Sequence, residues 1–374
     1  GTRAPLIAIP LGPFRLSGRI DQGGMGQVWH AVHAATGLPV AIKLIRDDKP
    51  ELAEPFLDEV RAVARLDHPN VITVLDCGRI DAATHATSQG RLPLGSPWMA
   101  MEYCSGGTLG AAPPTDWAGL RSVLTELLAA LAYSHARGVL HRDLSPDNVL
   151  IATDADVRPG MKLTDFGLST PLSRAEPGVI VGTPAYIAPE QLRAELGGEG
   201  PWTDLYQFGC VAWALAAGAP PFGKDRPAAV LALAHLEVDP PSFRPNFPVA
   251  EGFEAWLRTL LVKDPKRRIQ HAADASSTLL SLDGSRAPGV GLPVSWQTPE
   301  PARMPARMVG AGLGIHTLRP APLVGRRAER DRLWSALREV SAAWAPRAVL
   351  LHGPAGVGKT RLARWIGARA HELG

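Results

Sequence analysis

The 374 residues include only three cysteines, Cys77, Cys104 and Cys210, an odd number set far apart. That spacing gives neither a disulfide framework nor a cysteine metal site, and it suits a reducing, cytoplasmic setting. Surplus charge is also scarce. Lysine and arginine number 39 against 36 acids, a formal net charge of +3, so nothing general points to nucleic acid or a membrane surface. Long apolar runs are missing. The most apolar stretch, Leu205 to Ala219, is too short to span a bilayer comfortably and contains Gly209, which predicts a buried helix. The opening Gly1-Thr2-Arg3-Ala4 has no Met and no signal-peptide apolar region, which predicts an excised or tagged piece. The remainder is ordinary for a globular protein, with 45% hydrophobic and 20% charged residues and length enough for one large domain or two ordinary ones.

The stretch richest in chemistry is His141-Arg142-Asp143-Leu144-Ser145-Pro146-Asp147-Asn148, followed by Asp165-Phe166-Gly167. Between them Val149-Leu150-Ile151 and Met161-Lys162-Leu163-Thr164 are short apolar runs divided by turn formers, a hairpin-like pair with polar groups at both ends. Such a layout can set Asp143, Asn148 and Asp165 around one small volume. Phosphoryl transfer needs that: one carboxylate to orient a hydroxyl, and hard oxygens for magnesium.

Upstream, Phe14 to Val40 alternates in the manner of strands around Asp21-Gln22-Gly23-Gly24-Met25-Gly26-Gln27-Val28, where glycines let backbone N–H groups approach phosphate oxygens. Val40-Ala41-Ile42-Lys43 ends an apolar strand on a lysine that needs a partner. Pro50 to Leu66 predicts a helix with Phe56, Val60 and Val63 on its apolar stripe and Glu59 beside it, placed to aim Lys43 at phosphates. Asn70 to Leu75 and Trp98 to Tyr103 predict strands, with a polar loop from Arg79 to Pro97. Asp116 to Arg137 predicts an amphipathic helix on Leu120, Leu124, Leu127, Leu128 and Leu131, ended by Gly138.

In this order the motifs resemble a bacterial-type serine/threonine protein kinase over residues 12–283. The resemblance implies an α+β bilobal fold, with a small β-rich lobe over about 12–101 and a helical lobe over about 105–283. It implies transfer of the ATP γ-phosphate to protein hydroxyls, with protein substrates and self-association for autophosphorylation as partners. ATP would lie against Gly23, Gly24, Gly26, Val28, Ala41 and Lys43, with Glu102 and Cys104 offering backbone groups to adenine and Met101 shaping the back of the pocket. Asp143 would accept the substrate proton, and Asn148 and Asp165 would hold Mg2+. Arg142 would pair with a phosphate on the activation segment, whose hydroxyls include Ser169, Thr170, Ser173 and Thr183. Gly182 to Glu190 resembles a substrate-docking segment of the serine/threonine type, with Thr183 touching the catalytic loop. Asp204 would brace that loop, and Arg268 would pair with Glu190. Two positions depart from the family pattern: Asp21 replaces the first glycine of the loop, and Ser145 replaces the usual lysine, which predicts slower chemistry. A second reading is a catalytically weak docking module that regulates a C-terminal ATPase.

Residues 284–322 are rich in Pro, Gly and Arg, which predicts a mobile or surface-draped linker after an extension at 1–11 and the kinase region. From 323 to 374 a helical run, Ala328 to Ala342, precedes the buried-strand pattern Ala348-Val349-Leu350-Leu351-His352. Gly353-Pro354-Ala355-Gly356-Val357-Gly358-Lys359-Thr360 and a helix follow, the context of a P-loop. Lys359 would reach outer phosphates and Thr360 a magnesium ion. The Val-Gly-Arg opening resembles AAA-type or STAND regulatory ATPases. With no acidic second motif after it, this piece is expected not to hydrolyse ATP and to fray or pack loosely on the kinase.

Overall fold

The computed structural model describes residues 9–22, 26–45, 53–166, 183–282, 323–343 and 345–374, with short stretches at 292–293, 295–297, 308, 310–316 and 318; the side chains of Glu59 and Ala194 fall outside the described residues. The described residues form two compact units, drawn from 1–108, 149–168 and 301–320 in the first and 109–148, 169–300 and 321–374 in the second.

The first unit is built on a six-stranded antiparallel sheet ordered β1-β2-β3-β4-β6-β5. Its strands are β1 (Ile9–Leu11), β2 (Phe14–Gln22), β3 (Gly26–His33), β4 (Pro39–Ile45), β5 (Val74–Arg79) and β6 (Pro97–Glu102). β4 is buried along nearly its whole length because it pairs with β3 and β6 and packs both faces. Gly26 allows the β3–β4 approach, since a Cβ there would lie 2.2 Å from the Leu44 carbonyl oxygen. Helix α1 (Ala53–Val63) packs against β5 and β6 with Phe56, Val60 and Val63 buried, as the stripe requires. The hairpin β7 (Val149–Ala152) and β8 (Gly160–Leu163) pairs antiparallel with Val149 opposite Leu163.

The structure departs from three expectations in this unit. The strand expected from Asn70 begins at Val74. The residues before it are taken up by other partners: Asn70 O and Ile72 N bond Leu163, and Thr73 O accepts from Glu102 N. The expected loop from Arg79 to Pro97 contains helix α2 (Ala82–Thr87), capped by Asp81 accepting from Thr84 N at 2.7 Å, with Ile80 and Leu92 buried around it. The linker is packed in part. Ile315 is buried, and Gly314 N donates to Asp76 Oδ1 at 2.9 Å while Cys77 Sγ donates to Gly314 O at 3.5 Å.

The second unit is helical. It contains α3 (Trp117–His135), α4 (Pro189–Leu192), α5 (Pro201–Ala217), α6 (Ala228–Glu237), α7 (Phe253–Leu260), α8 (Ala272–Ser281), α9 (Arg327–Ala343) and α10 (Lys359–Leu373). Asp116 caps α3 by accepting from Gly119 N at 2.8 Å, and the leucine stripe is buried. α5 is buried on almost every side, and Gly209 admits α7, for a Cβ there would meet Leu260 Cβ at 3.0 Å. No helix among the described residues is long and apolar enough to cross a membrane.

The segment 323–374 differs from expectation in part. α9 and α10 form where the sequence puts helices, and α10 packs against α3 and α8 with an Arg137–Glu372 ion pair rather than fraying. The strand expected at 348–352 does not form, and Val349 and Leu350 are exposed. A parallel strand needs a neighbour, and among the described residues none pairs with this run.

Candidate active site

In the second unit, one carboxylate fixes the loop that carries Asp143. Asp204, buried in the first turn of α5, accepts from His141 N at 2.8 Å, Arg142 N at 2.7 Å and His135 Nε2 at 2.7 Å. Burial alone would raise its pKa, but the His135 hydrogen bond and the charges of His135 and His141 outweigh burial and hold it below the usual value. Gln207, one turn along α5, receives Leu144 N on Oε1 at 3.0 Å and donates to Arg142 O at 2.8 Å. Gln191 of α4 donates to the same carbonyl at 2.8 Å. These bonds hold Arg142 at φ +66°, a conformation costly for a residue with a Cβ.

Asp143 follows from that fixed turn. Its Oδ1 accepts from Thr183 N at 3.0 Å and Thr183 Oγ1 at 3.1 Å, and its carbonyl accepts from Asn148 Nδ2 at 2.7 Å. Thr183 therefore touches the catalytic loop as expected. The amide nitrogen of Asn148 is committed to that carbonyl, so its oxygen is the atom suited to a cation. Ser145, in the position of the family's lysine, is buried. Below the site Arg268 forks onto Glu190 at 2.7 and 3.1 Å, both side chains fully buried, and Thr203 Oγ1 donates to Glu190 at 2.9 Å.

In the first unit, Lys43 Nζ lies 2.5 Å from Asp165 Oδ1, with Lys43 buried and Asp165 half-buried at φ +59°. β4 places Lys43 across from Val28 on β3 and Met99 on β6. The Glu59 side chain, Gly23, Gly24 and the hydroxyls of Ser169, Thr170 and Ser173 lie outside the described residues. Ala41 sits on the same strand, opposite Met101. Glu102 has a structural role the sequence did not reveal. Its carboxylate pairs with Arg158 Nη1 at 2.7 Å and receives Thr73 N at 2.7 Å, and its own N–H goes to Thr73 O. Burial pushes the Glu102 carboxyl up even so, against the pull of Arg158 and Thr73. Of the backbone groups expected at adenine, the Glu102 N–H is thus taken by Thr73. Burial, with the Glu102 charge added, pushes the Cys104 thiol to about 12.

In the P-loop motif Gly353, Gly356 and Gly358 lie at positive φ. Lys359 Nζ donates to Gly353 O and Pro354 O at 2.8 Å each, and Thr360 is exposed at the start of α10.

Sequence reasoning missed Gln191, Gln207, Glu199 and Arg158. Gln207 left a signal, an amide one turn after Asp204 in an otherwise apolar helix. Arg158 left none, since it reaches Thr73 and His68 O from a loop far along the chain.

Residues 14–278 match the protein kinase domain family, and the chain belongs to that family. Residues 322–372 match the AAA ATPase domain. The chain is 34% identical over 274 residues to the serine/threonine-protein kinase Pkn1 of Myxococcus xanthus, covering 71% of this chain and 37% of that protein. It is 32% identical over 321 residues to the serine/threonine-protein kinase PknA of Mycobacterium tuberculosis, covering 83% and 69%. This chain therefore spans little more than a third of the first relative's length. The fold is that of the Mycobacterium tuberculosis PknI kinase domain, at TM-score 0.54 and 22% identity over 75% of this chain and 100% of that one.

Proposed function

We propose that the chain is a working serine/threonine protein kinase. It moves the γ-phosphate of ATP to Ser or Thr hydroxyls of proteins, itself included. The observation that carries this reading is Asp143. Its carboxylate is aimed by Thr183 on a loop locked through Asp204, and its Oδ2, which takes only a long 3.4 Å bond from Asn148 Nδ2, is the oxygen that meets an acceptor hydroxyl. Asp143 orients that hydroxyl and takes its proton as the new P–O bond forms and the bond to the β-phosphate breaks, with ADP leaving. Lys43, steadied by Asp165, binds ATP phosphates. The amide oxygen of Asn148 and the carboxylate of Asp165 are each suited to a hard divalent cation, and Mg2+ so held would neutralise charge on the phosphates. Thr183 and the segment after it receive the protein substrate.

Nucleotide binding tests the ATP half separately. Lys43→Met is expected to lose turnover by two orders of magnitude or more, roughly the range for removing one phosphate-stabilising group. Asp143→Asn should still bind ATP. An active Lys43→Met would refute the role given to Lys43.

A further inference from the structure

The guanidinium of Arg142 has an anionic partner in the same unit. Glu199 Oε2 lies 2.8 Å from Arg142 Nε, with the Glu199 side chain 19% exposed and that of Arg142 34%. Arg142 directly precedes Asp143, and its backbone is tied at both ends: N to Asp204, O to Gln191 and Gln207. Glu199 is anchored as well. It stands one residue before Gly200, the cap of α5, whose N–H donates to Thr203 Oγ1 at 3.1 Å. Thr203 Oγ1 in turn donates to Glu190, which Arg268 holds in the core. Gly200 lies close under the Trp202 ring, where an added Cβ would come within 2.4 Å of it. A continuous set of bonds thus runs from the buried Arg268–Glu190 pair through Thr203 and Gly200 to the segment presenting Glu199.

A cation beside the residue that orients the acceptor hydroxyl needs a fixed counter-charge if it is to hold one geometry. A half-buried arginine left without one would sample several rotamers and put its charge at varying distances from Asp143. The chain supplies that charge as a carboxylate of its own. Burial raises the Glu199 carboxyl above its ordinary value, and Arg142 opposes the rise. The guanidinium therefore favours the charged form of Glu199.

We infer that Glu199 is a positioning residue for phosphoryl transfer. Its carboxylate supplies the anion that holds Arg142, so the catalytic loop is set without a phosphate on the chain. The inference rests on the kinase reading above and extends it: phosphate added during autophosphorylation is a product of this enzyme, not its switch.

The test uses the full 374-residue chain, stripped by phosphatase and checked for zero phosphates by intact mass. Progress curves on a Ser/Thr peptide with Mg2+ and ATP are followed from the first seconds. Wild type is expected to start at full rate with no lag, and prior autophosphorylation should leave kcat within about twofold. Glu199→Gln should lose about tenfold or more in kcat with its KM for ATP unchanged, because a charge-assisted contact is lost away from the nucleotide. Glu199→Asp should recover part of the rate. A Glu199→Gln enzyme with wild-type kcat would overturn the inference. So would a wild-type lag that shortens as enzyme concentration rises and tracks phosphate uptake, a readout that does not depend on any variant folding. Wild type and Asp143→Asn equally inactive would refute the kinase reading itself, whereas an active wild type indifferent to Glu199→Gln refutes only this role.

Discussion

Replacing Arg268 with alanine should damage the second unit more than any surface change. The guanidinium makes contacts to Glu190 Oε1 and Oε2, Trp202 O, Val262 O and Lys263 O, and it is fully buried. Removing it leaves the Glu190 carboxylate in the core with Thr203 as its remaining side-chain donor. Breaking one side of a buried pair costs about 3–5 kcal/mol, because the surviving charge stays desolvated. At roughly 2–4 °C per kcal/mol for a domain of this size, the melting temperature should drop by about 6–20 °C. Arg193→Ala is the control. Its ion pair with Glu237 spans 3.4 Å between side chains 47% and 56% exposed, and losing it should cost less than about 1 kcal/mol. Joint replacement of Arg268 by Met and Glu190 by Leu should recover part of the loss, since neither charge remains buried. Circular dichroism melts and urea titrations of the four proteins decide it. An Arg268→Ala chain within about 1 kcal/mol of wild type would refute the reasoning, because it would mean the pair is solvated.

Two more perturbations follow from the packing. His235 is buried against Tyr206 and Phe222, and burial, with the Lys263 charge added, lowers its pKa from 6.5 to about 4. Because the folded value lies below the unfolded one, the unfolded chain takes the proton first. Stability from this group is therefore full above pH 6.5 and falls by roughly 3 kcal/mol as pH drops to about 4. Urea titrations at two pH values should show a smaller acid loss in His235→Asn; an equal loss would remove His235 from the account. Gly314→Ala would place a Cβ 1.9 Å from the Cys77 carbonyl oxygen and so push the linker off β5. Cys77, now kept poorly reactive by burial and by the Asp76 charge, should then alkylate several-fold faster while Cys104 and Cys210, both at about 12, stay slow. Unchanged Cys77 labelling by mapped mass spectrometry would show that the linker does not cover it.

What the sequence made legible was whatever is written locally. The leucine stripe of α3, the hairpin between Asn148 and Asp165, and the apolar strand that carries Lys43 sit where local pattern puts them. The Asp204 brace and the Arg268–Glu190 pair were legible only through family resemblance, since no local pattern joins residues so far apart in the chain. Failures occurred where distant partners decide. Asn70 to Thr73 read as strand, yet their backbone groups serve Leu163 and Glu102. The apolar run at 348–352 read as a buried strand, but burial depends on a neighbouring strand that its own residues do not encode. Glu199 is one acid in a glycine-rich stretch of sequence, and its meaning depends on Arg142, which the fold brings within 2.8 Å.

The central claim is that this chain transfers phosphate through Asp143. Intact mass of phosphatase-stripped wild type and Asp143→Asn, before and after incubation with Mg2+ and ATP, tests it most directly. The account predicts whole phosphate increments on wild type alone, with Asp143→Asn unchanged in mass and still able to bind ATP. Equal phosphate gain by both proteins, or none by wild type on itself or on a Ser/Thr peptide, would contradict it.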